Sequence, residues 1–134
     1  MQKTYIDKLG FILVKDRKAL AVKSRGKNIW FTPGGKREEG ETDQEALIRE
    51  VREELLVDLL PETIKYYGVF ESQAYGKSEG TFVKITCYIA DYKGELNPSA
   101  EIEKIGWITS RDKDNTTLTG KLILEDLKRK QLID

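Results

Sequence analysis

An α/β domain, with helices packed on a mixed β-sheet, is what the sequence predicts, and three patterns carry that prediction. Short β-branched or apolar runs lie on both sides of one long helical segment. A second helical segment follows them, and turn-forming residues separate the elements without a linker, repeat or low-complexity tract. The chain has 134 residues, the size of one domain covering 1–134.

Taken in order, Leu9 to Val14 and Ala19 to Val22 are apolar runs joined by the charged Lys15-Asp16-Arg17-Lys18, which predicts a hairpin. Asn28 to Phe31 is expected to form a third short strand, cut off by Pro33-Gly34-Gly35, a group that frees the backbone for unusual torsions. From Thr42 to about Val57 the pattern is helical, opened by Thr42-Asp43-Gln44-Glu45 as a capping box. Leucine is a good helix former and nothing before Pro61 stops the chain, so this helix is expected to continue past Leu56. Ile64 to Phe70 and Phe82 to Ala90 read as longer strands. In the second, Val83, Ile85, Cys87 and Ile89 alternate with Lys84, Thr86 and Tyr88. Glu71 to Gly80 between them is polar and reads as a loop. A strand at about Gly106 to Thr109 and a helix from about Gly120 to Leu132 complete the order.

Composition removes many chemistries. The chain has no histidine, which excludes Ser-His-Asp triads, Cys-His dyads and every His-bearing metal site. The lone Cys87 can form neither an intrachain disulfide nor a cysteine-clustered zinc site; it reads as a small buried hydrophobe in a protein of a reducing cytoplasm. Lys plus Arg is 23 and Asp plus Glu is 23, so no net charge pulls the molecule towards nucleic acid or an anionic membrane. Met1 to Leu9 carries Lys3, Asp7 and Lys8, unlike the apolar core of a signal peptide, and the longest clean apolar run, Phe11 to Val14, is far short of a bilayer span. The expectation is a soluble protein that stays where it is made.

The helical segment from Thr42 holds the sharpest signal. At 100° per residue, Leu47, Ile48, Val51 and Leu55 fall on one side, expected to pack on the sheet. Glu50, Glu53 and Glu54 fall together on the opposite side with Arg49 at their edge. Like charges at this spacing repel, so the arrangement costs stability unless a cation or basic partner sits among them. On the helix alone, a solvated face neutralised by Arg49, Arg52 and water is the favoured explanation.

The residues before the helix change that balance. From Gly35 there are five residues, then Glu41, then seven, then Arg49-Glu50-Val51-Arg52-Glu53-Glu54. This resembles the Nudix box, G-x5-E-x7-R-E-U-x-E-E-x-G-U with U apolar aliphatic, over Gly35 to Val57. A chance match of its spaced identities is on the order of one in ten thousand for a chain of this size. One position departs: Leu56 stands where the family has glycine, followed by the expected aliphatic Val57. Competing motifs fail. Gly35 to Thr42 has the glycine spacing of a P-loop with Glu41 in place of its lysine, and the stretch from Asp112 opens like an EF-hand but has Thr117 for the turn glycine and Ile123 for the closing Glu.

The resemblance implies a Nudix-type α/β/α sandwich around a mixed β-sheet. It also implies hydrolysis of a nucleoside diphosphate linked to another group, by water and Mg²⁺ or Mn²⁺. The physics agrees with it, because a glutamate cluster approaches a polyphosphate only by sharing a divalent cation. By resemblance, Glu53 and Glu54 are the main metal ligands and Glu50 shares the metal or accepts the water's proton, while the Gly35 carbonyl is a further candidate ligand. Arg49 is expected to hold the loop through a salt bridge to Glu41, leaving both structural. A further family acid comes from a loop near the far strands, for which Glu101 and Glu103 are candidates and Glu101 is favoured. Lys36 and Arg25 are candidates for phosphate oxygens; Trp30, Phe31, Tyr75 and Phe82 are possible stacking surfaces, although core packing explains any single aromatic.

The substrate is a small-molecule nucleotide on this reading, with no extended basic track for nucleic acid. Small size and Pro33-Gly34-Gly35-Lys36 resemble MutT-type enzymes, which clear modified nucleoside triphosphates such as 8-oxo-dGTP. Tyr75, 18 residues past Val57, keeps a dinucleoside polyphosphate substrate open, and the absence of proline between Pro61 and Pro98 counts against ADP-ribose. A Nudix-fold module that binds a nucleotide without cutting it is the alternative from another class; retention of all the box carboxylates argues against it.

Overall fold

The computed structural model describes residues 4–74 and 80–134. Its central sheet contains β1 (Thr4–Ile12), β4 (Gly34–Gly35), β6 (Lys65–Gln73) and β7 (Thr81–Ile89) in the order β4-β1-β7-β6. β1 and β7 are parallel and the other pairs antiparallel, so the sheet is mixed. A second sheet orders β2 (Val14–Lys15), β3 (Lys18–Ser24) and β9 (Ile102–Ile108), and a third pairs β5 (Asp58–Leu59) with β8 (Tyr92–Lys93). Helices α1 (Asp43–Leu55) and α2 (Leu118–Arg129) complete the fold.

Period-two alternation in β1 explains why the two helices lie on opposite faces. Leu9 and Phe11 join Leu20 and Val22 in a core with Ala46, Leu47, Val51 and Leu55 of α1. Ile12 lies on the other side, with Ala19, Ala21, Ile85, Cys87 and Ile123, Leu124 and Leu127 of α2. Each fully buried side chain of this size contributes roughly 1.5–3 kcal/mol. Cys87 is fully buried, and burial pushes its thiol up to about 12, so it serves as a hydrophobe.

Several element boundaries differ from the sequence expectation. The expected hairpin turn exists, with Asp16 and Arg17 both at positive φ (51° and 62°), the torsions a two-residue turn needs. Its first arm is only β2, because the chain breaks at Leu13 and Thr4–Ile12 enters the central sheet instead. Asn28 to Phe31 is not a strand; only Trp30 and Phe31 make isolated bridges, to Thr116 and Val22. Gly34–Gly35, by contrast, pairs antiparallel with β1. β6 runs on to Gln73, which shortens the expected loop. β9 begins at Ile102, ahead of the expected start. The second helix starts at Leu118 because the Thr117 hydroxyl accepts the Gly120 N–H (3.1 Å), and it ends at Arg129.

The expectation that α1 passes Leu56 is wrong. The capping box at Thr42 and Glu45 forms, but the helix stops at Leu55 and Leu56 takes the left-handed conformation (φ 61°, ψ 27°). Helix propensity is outweighed by tertiary contacts beyond the end. Val57 is buried, Asp58–Leu59 pairs with β8, and the last carbonyls receive N–H groups from another loop: Asn97 to Leu55 (3.0 Å) and Ser99 to Glu54 (2.9 Å). Leucine therefore performs glycine's role at a steric cost of about 1 kcal/mol. Leu56 is 54% exposed, so Leu56→Gly is expected to preserve the fold and raise stability by up to about 1 kcal/mol in denaturant melts. A loss of that size would show that the leucine's contacts outweigh its torsion.

Candidate active site

The acidic side of α1 is not the uniform solvated face that helical geometry alone suggests. Glu54 is 2% exposed, and its Oε1 accepts the Gly34 N–H at 2.8 Å. Gly34 presents that N–H from φ +137°, a torsion nearly reserved for glycine. Glu50 is largely covered and accepts Arg49 Nη1 at 2.9 Å. It touches Gly35, where a Cβ would come within 2.5 Å of the Glu50 carboxylate. Glu53 is 54% exposed at its side chain, with Arg49 at 3.5 Å.

Arg49 organises the loop before the helix, as the sequence reading expects. Its Nε and Nη2 reach the two oxygens of Glu41 (2.7 and 2.8 Å), Nη2 reaches the Lys36 carbonyl (3.0 Å), and Glu38 lies 3.1 Å away. The guanidinium, with the Glu38 N–H, holds the Glu41 carboxyl down to about 2. These contacts tie Glu41 into the foot of the loop. Beside it, Asp43 binds Arg37 and accepts the Tyr88 hydroxyl (2.7 Å), tying the start of α1 to β7.

Glu101, placed just ahead of β9, is brought by the fold close enough to Glu54 for the two carboxyls to interact electrostatically. Burial, then the charges of Glu50 and Glu101, push the Glu54 carboxyl up to about 8 against the pull of the Gly34 N–H. Burial also raises Glu50, with Arg49 opposing and Glu53 and Glu101 adding. Among the described residues, no three Asp, Glu, His or Cys side chains already stand in a metal-holding group. Arg49 and Gly34 hold the box carboxylates instead. The donors present are nonetheless all oxygen, without histidine and with the one cysteine buried elsewhere, which is the donor chemistry of Mg²⁺ or Mn²⁺.

The substrate-binding candidates divide. Lys36 is exposed beside Gly35 at the edge of the carboxylate site. Arg25 instead donates from Nε to the Ala100 carbonyl (3.3 Å), and its N–H donates to the Glu101 carbonyl (2.9 Å), so it braces the loop that carries Glu101. Tyr75 lies outside the described residues. Trp30 is packed over Gly106 under Lys23, Phe31 joins the core on the α1 side, and Phe82 lies 6.0 Å from Tyr5. Glu103 is exposed within β9.

One residue escaped the sequence reading. Lys8 of β1 is half-buried, and burial and the Lys36 charge lower its ammonium while Glu54 and Glu50 raise it. The available signal was the alternation Lys8, Gly10, Ile12, which puts the lysine on an inward-facing side of its strand.

Comparison with known proteins points to one family and one fold. The NUDIX domain family matches residues 6–122. The uncharacterized Nudix hydrolase YvcI of Bacillus subtilis (strain 168) is 26% identical over 113 residues, covering 84% of this chain and 72% of that protein. Two solved structures share the fold. A MutT Nudix hydrolase from Burkholderia pseudomallei has a TM-score of 0.73 at 23% identity, covering 92% of this chain and 98% of its own. A MutT protein from Methanosarcina mazei Go1 has a TM-score of 0.75 at 16% identity, covering 98% of each chain.

Proposed function

The chain belongs to the Nudix family, and from that premise we propose that it is a metal-dependent hydrolase of a nucleoside diphosphate linked to another group, most simply a MutT-type pyrophosphohydrolase of modified nucleoside triphosphates. The observation that supports this best is the buried Glu54, held by Gly34 and crowded by Glu50 and Glu101. A dry carboxylate in that company calls for a cation, and a cation there would present a polyphosphate with its counter-charge.

Glu53, Glu54 and Glu50, with Glu101, would hold Mg²⁺ or Mn²⁺, and the Gly35 carbonyl is a further donor within the same turn. When bound, such an ion polarises the phosphoryl group and lowers the pKa of an attacking water. The chain's own residues do the rest. Arg49 fixes the loop through Glu41 and orients Glu50. Gly34 fixes Glu54. Glu50 would share the metal or accept a proton from water; burial raises its basicity while Arg49 keeps it oriented. Lys36, exposed beside Gly35, would contact phosphate oxygens of the substrate. On this reading residues 1–134 act as one Nudix domain in the cytoplasm. Among the described residues, no helix is long and apolar enough to cross a membrane.

The test is a panel of canonical and oxidised nucleoside triphosphates, dinucleoside polyphosphates and ADP-ribose, each with Mg²⁺ and with Mn²⁺. The expected result is metal-dependent release of pyrophosphate and a mononucleotide from at least one triphosphate, abolished by EDTA. Tight binding of a nucleotide without release of any product would favour the non-catalytic module.

A further inference from the structure

β1 and β4 pair with Leu9 opposite Gly35 and Gly10 opposite Gly34. Continuing that register by one step sets Lys8 opposite Lys36, and by two steps sets Asp7 opposite Arg37. The side chains of the second pair meet in an ion pair, Arg37 Nη1 to Asp7 at 3.3 Å, as that continuation requires. Between it and the ladder, the continued register brings together Lys8 and Lys36, and the Lys36 charge does act on the Lys8 ammonium. Like charges directly opposite one another on neighbouring strands destabilise a sheet, and no ion pair or hydrogen bond joins the Lys8 ammonium to another described residue.

Alternation separates the two pairs by face. Asp7 and Arg37 point to the side of Asp43 and α1, whereas Lys8 shares its side with Gly10 and Ile12 and lies opposite Ile85 of β7. The ammonium is thus half-buried against apolar neighbours, close enough to Glu50 and Glu54 to interact with them electrostatically, with Lys36 and Lys27 adding positive charge. Two cations facing each other beside an acidic site leave room for one kind of guest: an anion whose other end is neutralised by a cation at the glutamates.

We propose that Lys8 and Lys36 form a two-lysine clamp that binds phosphate oxygens of the substrate, with Lys8 gripping from the floor of the site and Lys36 from its rim. This rests on the phosphoric-anhydride reading for the identity of the anion. Lysine suits the task because its three donors adapt to a tetrahedral phosphate that shifts as the reaction proceeds.

The experiment measures binding of inorganic triphosphate with Mg²⁺ by calorimetry to the full chain and to Lys8→Met, Lys36→Met and Lys8→Arg, with guanosine as a probe lacking phosphate. Lys8→Met keeps the stem and removes the charge. It is expected to weaken triphosphate at least tenfold and to raise KM for a hydrolysed nucleotide by a similar factor, with kcat within about threefold. Lys8→Arg recovers most of that affinity. Without ligand, relief of the opposed charges raises Tm for Lys8→Met, and triphosphate then stabilises the wild type more than the variant. Unchanged triphosphate affinity in Lys8→Met, or a loss seen with guanosine and not with triphosphate, overturns the clamp. Triphosphate binding that depends on Lys8 in a protein that hydrolyses nothing would uphold the clamp and refute the hydrolase reading. Should Lys8→Met not fold, Lys8→Gln replaces it in the same titration.

Discussion

Glu54→Gln is expected to reduce turnover on the order of 10³-fold while making the metal-free protein more stable near neutral pH. Glutamine keeps the size and the acceptor that Gly34 needs but carries no charge. The sign of the stability effect follows from the raised carboxyl. With a folded value of about 8 against an ordinary 4.5, the folded state holds a proton that the unfolded state gives up, so without metal the stabilising contribution is full below the ordinary value. It is lost as pH rises through the folded one. The substitution removes that decline. Added Mg²⁺ should offset it in the wild type and do less for the variant. Glu53→Gln is expected to cost comparable turnover with little change in metal-free stability, since this side chain is 54% exposed. Thermal melts across pH 5 to 9 with and without Mg²⁺, paired with turnover, separate a metal site from an acidic surface. Near wild-type turnover in both variants would end the metal assignment.

Gly34→Ala is expected to destabilise the fold by roughly 3 kcal/mol or more, enough to leave little folded protein at 37 °C. A Cβ there would lie 2.1 Å from the Leu9 carbonyl oxygen, 2.9 Å from its carbon and 3.1 Å from the Gly10 Cα, all backbone of the central strand. The torsion of +137° adds its own penalty. No side-chain rotation relieves either. The same shift would withdraw the N–H from Glu54, so any folded fraction should also be slow. Urea titration monitored by tryptophan fluorescence gives the answer, and a midpoint close to wild type would contradict the described path of Gly34.

Much of the site could be read in sequence because it is local. Gly35, Glu41, Arg49, Glu50, Glu53 and Glu54 lie within twenty residues, and a helix turns their spacing directly into position. The capping box and the Arg49–Glu41 pair follow from the same short range. Alternation in Phe82 to Ala90 likewise needed nothing beyond its own residues to announce a strand.

Other features depended on partners distant in sequence. Helical angles place Glu54 beside Glu50 and Glu53, but only the arrival of Gly34 and Glu101 buries it. Arg25 turns to the Ala100 carbonyl, a residue 75 positions away, and so braces the Glu101 loop. Leu56 has every local reason to extend a helix and is stopped by the pairing of Asp58–Leu59 with Tyr92–Lys93 and by N–H groups from Asn97 and Ser99. Lys8 is an ordinary charged residue until the fold half-buries it near Lys36, Glu50 and Glu54. Sequence by itself therefore determined the two helices, the longer strands and the acidic helix with its loop, because propensity, capping and i to i+4 geometry act within a few residues. Which carboxylate is buried, where the helix ends and which charged residues are drawn in beside the carboxylates were decided by tertiary structure, because desolvation, strand register and hydrogen bonds to distant backbone exist only once the chain has closed on itself.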